Sequence, residues 1–157
     1  MKQEIDQIDR RMLAELQRDA TLSVEQLSER VGLSRNACWR RLRRLEDDGF
    51  ITARVALVDP EKLGLGLSVF IIIRTSRHDP EWLAKFRAAV VSIPEITGVY
   101  RMSGDLDYVL RARVSDVKAY DRLYQSLIAK VPLSDVSASF VMEEIKETTV
   151  VPVELRA

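Results

Sequence analysis

Hydrophobic residues in the first fifty positions recur every three or four residues, which is the spacing of one face of an α-helix. The first apolar stripe comprises Ile5, Ile8, Met12, Leu13 and Leu16. The second comprises Val24, Leu27 and Val31, and the third comprises Cys38, Leu42 and Leu45. The pattern therefore predicts three short amphipathic helices, each with one apolar face.

Capping residues mark the ends of the second and third helices. Ser23 followed by Gln26 is a capping box, and Gly32 is a typical residue just after a helix C-terminus. Ser34 can cap the third helix, which we expect to end at Gly49. Two helices joined by a tight glycine-containing turn, with another helix before them, are typical of a helix-turn-helix.

After Pro60 the pattern changes to β-strands that are separated by two amphipathic helices. The segments are residues 67–76, 80–93, 95–104, 108–114, 115–131 and 135–148. Their order, β-α-β-β-α-β, predicts a ferredoxin-like sandwich with both helices on one face of an antiparallel sheet, and so an α+β fold. On its second strand we expect Ile96, Tyr100 and Met102 on one side.

These patterns predict three regions. Residues 1–52 form the helix-turn-helix domain, residues 53–66 a linker strand and hinge, and residues 67–157 the ferredoxin-like domain. The first strand of the last domain has two apolar faces, with Ile71 and Ile73 on one and Phe70 and Ile72 on the other. Because helices cover only one face of such a sheet, the second face indicates a two-fold dimer, although the N-terminal domain could also cover it.

The composition narrows the class of protein. The 157 residues are 46% hydrophobic and 31% charged with zero net charge, and no apolar run approaches the roughly 20 residues of a membrane span. There is no secretory signal, so we expect a cytoplasmic protein. A single cysteine, Cys38, and a single histidine, His78, give no basis for a disulfide framework or a metal site. No nucleophile–base pair or phosphate loop indicates an enzyme, and no cofactor is expected.

Positive charge is concentrated on the third helix. Six arginines and no acid lie between residues 30 and 45. A helical wheel places four side chains opposite the apolar stripe, namely Asn36, Arg40, Arg43 and Arg44. Two further side chains, Arg35 and Trp39, flank this outer group. This arrangement suits a recognition helix in the DNA major groove, where Ser34 would also lie at the interface.

Three points on this helix stay open. A solvated basic face is the plain alternative to DNA contact, although such faces normally mix charges of both signs. Trp39 could pack against the preceding helix or lie along a sugar–phosphate edge. Arg41 lies at the edge of the apolar stripe, which indicates a structural or phosphate contact rather than a base contact.

Two motifs together resemble one known family. The run from Cys38 to Glu46 in GLSRNACWRRLRRLEDDGFI, and the run from Gly104 to Tyr108 in MSGDLDYVLRARV, are similar to those of the Lrp/AsnC, or feast/famine, transcriptional regulators. The resemblance covers essentially the whole chain. The start CWRR and the long segment DPEKLGLGL look most like the DecR-like, cysteine-responsive branch of that family.

The resemblance implies a winged helix-turn-helix domain and a C-terminal domain that binds a small effector, usually an amino acid. It also implies a homodimer that assembles to a tetramer or octamer and binds a palindromic operator in double-stranded DNA. By motif, the effector site would comprise Met102, Ser103, Gly104, Asp105, Asp107 and Tyr108. The glycine and two carboxylates suit an ammonium group, but Gly-Asp is also a common turn pair. Ser137 and Ser139 on the last strand could complete the site.

The sequence thus predicts a DNA-binding transcriptional regulator whose assembly or DNA affinity responds to an amino acid, with cysteine as one candidate. The alternative is a metabolite-binding regulatory module in which the basic helix docks onto proteins.

Overall fold

A computed structural model describes residues 4–77 and 79–153, so the expectation for His78 lies outside the described residues. These residues fall into two units. One contains residues 4–57 together with residues 146–153, and the other contains residues 58–145. The sequence pattern assigned the C-terminal tail to the ferredoxin-like domain, whereas the structure groups it with the N-terminal unit. No helix among the described residues is long and apolar enough to cross a membrane.

The N-terminal unit contains the three predicted helices. They are α1 (Gln7–Arg18), α2 (Val24–Val31) and α3 (Arg35–Asp47). Their apolar faces meet in one core that includes Met12, Leu27, Cys38 and Leu45, all fully buried. The predicted caps are confirmed, because Ser23 and Gln26 form a reciprocal capping box at the start of α2.

The C-terminal tail is held against α1 by two side chains. The Gln17 amide nitrogen donates to the Val151 carbonyl at 3.0 Å, and the Val151 N–H donates to the Gln17 amide oxygen at 2.6 Å. Arg10 donates to the Val153 carbonyl at 2.6 Å. These contacts explain why the tail groups with the N-terminal unit: α1 supplies the hydrogen bonds that its extended backbone lacks.

The second unit has the predicted β-α-β-β-α-β order. Its elements are β1 (Leu67–Arg74), α4 (Pro80–Val91), β2 (Ile96–Arg101), β3 (Tyr108–Val114), α5 (Val117–Lys130) and β4 (Asp135–Phe140). The sheet is antiparallel with strand order β2-β3-β1-β4. The last strand is shorter than predicted, because regular pairing with β1 ends at Phe140.

Both helices pack on one face of this sheet. That face carries Val69, Ile71 and Ile73 of β1, which pack with Trp82 and Leu127 of the helices. All five side chains are at most 1% exposed. Burial of this size is the main source of stability for the unit, since a fully buried side chain of this kind contributes about 1.5–3 kcal/mol.

The opposite face of the sheet, here called the open face, carries the alternate residues. Phe70 and Ile72 of β1 lie on it beside Val109 and Arg111 of β3. Phe70 is 39% exposed. The prediction that the first strand has a second apolar face is therefore confirmed.

A bulge in β2 makes one prediction for this strand wrong. Ile96 faces the helices, but the register shifts between Ile96 and Gly98, so Tyr100 pairs with Val109 on the open face. Met102 lies beyond the end of the strand. The extra residue of a bulge reverses the side on which all later residues lie, and periodicity alone does not reveal it.

Candidate nucleic-acid interface and effector site

The turn before α3 sets the position of this helix. Gly32 adopts a left-handed conformation with φ of 71°, which few residues other than glycine reach without strain. The Leu33 N–H donates to the Ser28 carbonyl at 2.9 Å, and the Ser34 hydroxyl accepts from the Ala37 N–H at 3.3 Å. With Cys38 in the core, the opposite side of α3 faces solvent. Ser34 therefore caps the helix as predicted, and it also stays exposed.

Five predicted DNA-contact residues share the exposed side of α3, here called the basic face: Arg35, Asn36, Trp39, Arg40 and Arg43. Trp39 is 52% exposed, so it does not serve as a core residue against the preceding helix. The Arg43 guanidinium lies 5.9 Å from the centre of the Trp39 ring and 3.5 Å from the Glu46 carboxylate. Arg35 and Arg40 form no ion pair within residues 4–77 and 79–153. The basic face therefore offers cations for an anionic partner.

Arg44 lies on the side of α3 that the helical wheel gives it, but its guanidinium turns towards α1. Its Nη2 binds the Asp9 carboxylate of α1, and Arg41 donates to the same carboxylate at 2.9 Å and to Asp6 at 2.6 Å. The side chain of Arg44 is 40% exposed, and its guanidinium is paired with the Asp9 carboxylate, so its contact with DNA stays a prediction. The expected structural role of Arg41 is confirmed by its two ion pairs.

Asp9 is the residue that the sequence pattern missed. It is fully buried, and its carboxylate also accepts the Asp6 N–H at 3.0 Å, so three donors surround it. A buried carboxylate needs such partners because its desolvation is costly. The sequence did contain a signal that Asp9 is buried, because it lies three residues before Met12 on an otherwise apolar stripe.

The pKa shifts of this cluster follow from its hydrogen bonds. The Asp9 N–H, helped by Arg41, lowers the pKa of Asp6 below its ordinary value of 3.8. Hydrogen bonds to Asp6 and Asp9 raise the pKa of Arg41. Burial raises the pKa of the Cys38 thiol, which suits a small apolar core residue rather than a reactive thiol.

In the second unit, the loop between β2 and β3 is closed on itself and tied to the end of β1. Gly104 has a φ of 101°, and the Met102 N–H donates to the Asp107 carbonyl at 2.8 Å. The Asp107 carboxylate accepts the Thr75 N–H at 2.7 Å. Asp105, by contrast, is exposed. Asp107 therefore orders the loop, and Asp105 is the carboxylate that the loop presents to solvent.

The predicted effector residues do not all come together. Five share the loop, namely Met102, Ser103, Gly104, Asp105 and Asp107. Tyr108 is 6% exposed and lies in the core, 4.6 Å from Phe86 between ring centres. Ser137 and Ser139 pair with Ile72 and Phe70 and so lie on the open face.

Two further charged residues adjoin the loop. The Arg74 Nε donates to the Asp105 carbonyl at 3.2 Å, and its Nη1 binds the Asp135 carboxylate at 2.7 Å. Both residues sit at strand ends, where β1 pairs with β4. The sequence did contain a signal that Arg74 has a functional position, because it is a single cation directly after the apolar run VFIII. This corner of the sheet therefore brings the Arg74 guanidinium to the Asp135 carboxylate and to the backbone of the loop.

The fold and the basic face define a helix-turn-helix protein with a separate ferredoxin-like domain. Comparison with family models agrees with this class. Residues 5–52 match the family described as winged helix-turn-helix DNA-binding, and residues 68–151 match the Lrp/AsnC ligand binding domain. The chain belongs to the Lrp/AsnC family and is a DNA-binding transcriptional regulator.

Named relatives cover nearly the whole chain. The DNA-binding transcriptional activator DecR of Escherichia coli is 51% identical over 96% of this chain and 99% of its own. The glutamate uptake regulatory protein of Zymomonas mobilis is 49% identical, covering 97% and 93%. An AsnC family regulator from Agrobacterium tumefaciens superposes with a TM-score of 0.92 at 49% identity, covering 95% and 97%. The Neisseria meningitidis regulator NMB0573 in complex with L-Met has a TM-score of 0.90 at 36% identity, covering 96% and 97%.

Proposed function

We propose that this regulator binds a palindromic operator as a homo-oligomer and that an amino acid bound in the C-terminal unit changes its assembly or DNA affinity. The observation that carries the proposal is the basic face of α3, on a chain whose other domain matches a ligand-binding family. Since its partner is DNA, we place the protein in the cytoplasm, acting as a regulator and not as an enzyme.

On the basic face we assign separate roles to the side chains. Asn36 near the start of α3 has the amide geometry that pairs with adenine, and the arginines suit guanine or phosphate oxygens. Trp39 is exposed beside Arg43, and we assign its ring to a sugar–phosphate edge. Ser34 and Arg35 at the helix N-terminus complete the surface.

For the dimer we propose the open face of the sheet. Phe70, Ile72 and Val109 form an apolar strip that a two-fold axis would bury against its own copy. Changing Ile72 to lysine should give monomers in sedimentation velocity, whereas the same change at exposed Ala88 of α4 should leave the dimer intact. Two dimers would form a tetramer and four an octamer.

For the effector we propose the loop corner. The exposed carboxylate of Asp105 suits the ammonium group of a bound amino acid. The nearby Arg74 guanidinium suits the carboxylate of the same amino acid. A family member with 36% identity has been solved with L-Met, and a leucine-responsive relative of Escherichia coli is 40% identical. Cysteine is the first candidate because the start CWRR and the segment DPEKLGLGL resemble the cysteine-responsive branch of the family.

A thermal-shift screen with each of the twenty amino acids tests the sensor. A ligand of the native state raises the melting temperature by mass action, and Asp105→Asn should abolish that shift. Asp121→Asn removes an exposed carboxylate of α5 and should keep the shift, which makes it the matched control. Failure of every amino acid to raise the melting temperature would contradict the sensor role.

DNA binding is tested by selection from a pool of random-sequence duplexes. Enrichment of an inverted repeat by the full-length protein would support the proposal. Capture of proteins without any duplex enrichment would instead support the docking alternative.

A further inference from the structure

A groove of about 410 Å³ runs along the side of α3 next to the basic face. Its walls are Leu33, Ala37, Arg40, Arg41 and Arg44. Three of these five side chains are arginines, and the small Ala37 leaves the space between them open. The groove is therefore a shallow, strongly basic site at the flank of the helix that we propose contacts DNA.

The groove arginines keep unused donors. Arg41 uses its Nη1 for both Asp6 and Asp9, and Arg44 uses its Nη2 for Asp9. A guanidinium has five N–H groups, so each retains N–H groups that no acceptor in the described part of the chain takes. Arg40 adds a complete guanidinium.

The charge of the cluster suits one phosphodiester. Three guanidinium groups face two carboxylates, which leaves one net positive charge. Asp9 is fully buried on the α1 side, so its carboxylate binds the arginines from the side away from the groove opening. A guanidinium already fixed by a carboxylate loses less freedom when it binds a phosphate oxygen.

We propose that this groove seats one backbone phosphate of each operator half-site, and that Asp9 is a positioning residue that directs Arg41 and Arg44 into it. The inference rests on the proposed use of α3 to contact DNA. It reverses the simple electrostatic expectation, because removal of a carboxylate near DNA would otherwise strengthen binding.

The first test measures the affinity of full-length variants for a duplex selected by the unmodified protein. Asp9→Asn should weaken binding about 10-fold even though it removes a negative charge, as expected for the loss of a charge-assisted phosphate contact. Arg44→Gln should weaken binding to a similar degree. The double variant should be within about 2-fold of Arg44→Gln, because Asp6 still holds Arg41 at 2.6 Å after Asp9 is changed, which leaves Arg44 as the arginine that depends on Asp9. Unchanged or tighter binding by Asp9→Asn would overturn the proposal.

A matched control separates position from charge. Glu15→Gln removes another α1 carboxylate, which pairs with Arg30 at 2.9 Å and does not line the groove. It should leave affinity unchanged or raise it slightly. All measurements are made below the melting transition of each variant. If Asp9→Asn does not fold, Arg44→Lys keeps the charge but cannot bind Asp9 and a phosphate together, so wild-type affinity for that variant would overturn the proposal.

The second test asks whether a single phosphate is the ligand. Duplexes that each carry one neutral methylphosphonate are scanned against wild-type protein and Arg44→Gln. One position per half-site should cost the wild type about 10-fold but Arg44→Gln less than about 2-fold. If every position costs both proteins equally, the phosphate seat is refuted while DNA binding stands. If the wild-type protein selects no duplex at all, the proposed function itself fails.

Discussion

Replacement of Arg43 by alanine tests the basic face quantitatively. Arg43 is exposed on α3, and within the described part of the chain its guanidinium is held by the Trp39 ring and by a 3.5 Å contact with Glu46. We assign it one phosphate. Arg35 receives a second, and the groove of Arg40, Arg41 and Arg44 receives a third.

The magnitude follows from counterion release. Three phosphates per subunit make about six per dimer, which gives a slope of log K against log salt of about −5.4. Between 50 and 200 mM salt, the affinity of the unmodified protein should then fall about 2,000-fold. Arg43→Ala removes two phosphate contacts per dimer, so its slope should be about −3.6 and its affinity should fall about 150-fold over that range.

Fluorescence anisotropy with a labelled selected duplex measures both slopes. Arg87→Ala removes an exposed arginine of α4 in the other unit and provides the matched control, whose slope should equal that of the wild type. The reasoning would be refuted by an Arg43→Ala slope that matches the control, since this arginine would then neutralise no phosphate.

The remaining predictions concern stability. Gln17→Ala removes both hydrogen bonds to Val151 and should lower the free energy of unfolding by about 1 kcal/mol. Limited proteolysis after residue 146 should become faster. An unchanged rate of proteolysis would show that Gln17 does not hold the tail. Gly104→Ala places a side chain at φ 101° and should cost about 1–2 kcal/mol in urea unfolding, whereas Gly66→Ala meets only an ordinary 3.6 Å contact and should be nearly neutral. The pKa of Asp6 is lowered in the folded state, so its stabilising contribution is present above the unfolded value of 3.8 and is lost as pH falls below it. Thermal unfolding of Asp6→Asn should accordingly vary less between pH 5 and about pH 3 than that of the wild type.

Sequence patterns predicted the elements of this fold well because each was signalled locally. The capping box at Ser23, the left-handed Gly32 and the N-cap Ser34 are set by neighbours within a few residues. The two faces of β1 could be predicted from the two-residue period of a β-strand alone. The bulge after Ile96 was missed because it depends on pairing with β3, which lies at a distance along the chain.

The candidate sites show the same limit. The wheel placed the backbone of Arg44 correctly, but its guanidinium follows Asp9, thirty-five residues earlier in the chain. Tyr108 was grouped with its loop neighbours by motif, yet strand alternation turns its ring into the core. Arg74 joins the loop through pairing between β1 and β4, which no local pattern contains.

The most direct test of the account is a hydroxyl-radical footprint of the full-length protein on its selected duplex. A dimer that presents two α3 helices should protect two windows on one face of the duplex, related by two-fold symmetry and separated by about 10 bp or a multiple of it. Protection should weaken in Arg43→Ala and persist in Arg87→Ala. A single unsymmetrical window, or equal protection by both variants, would contradict the assignment of DNA binding to the basic face of α3.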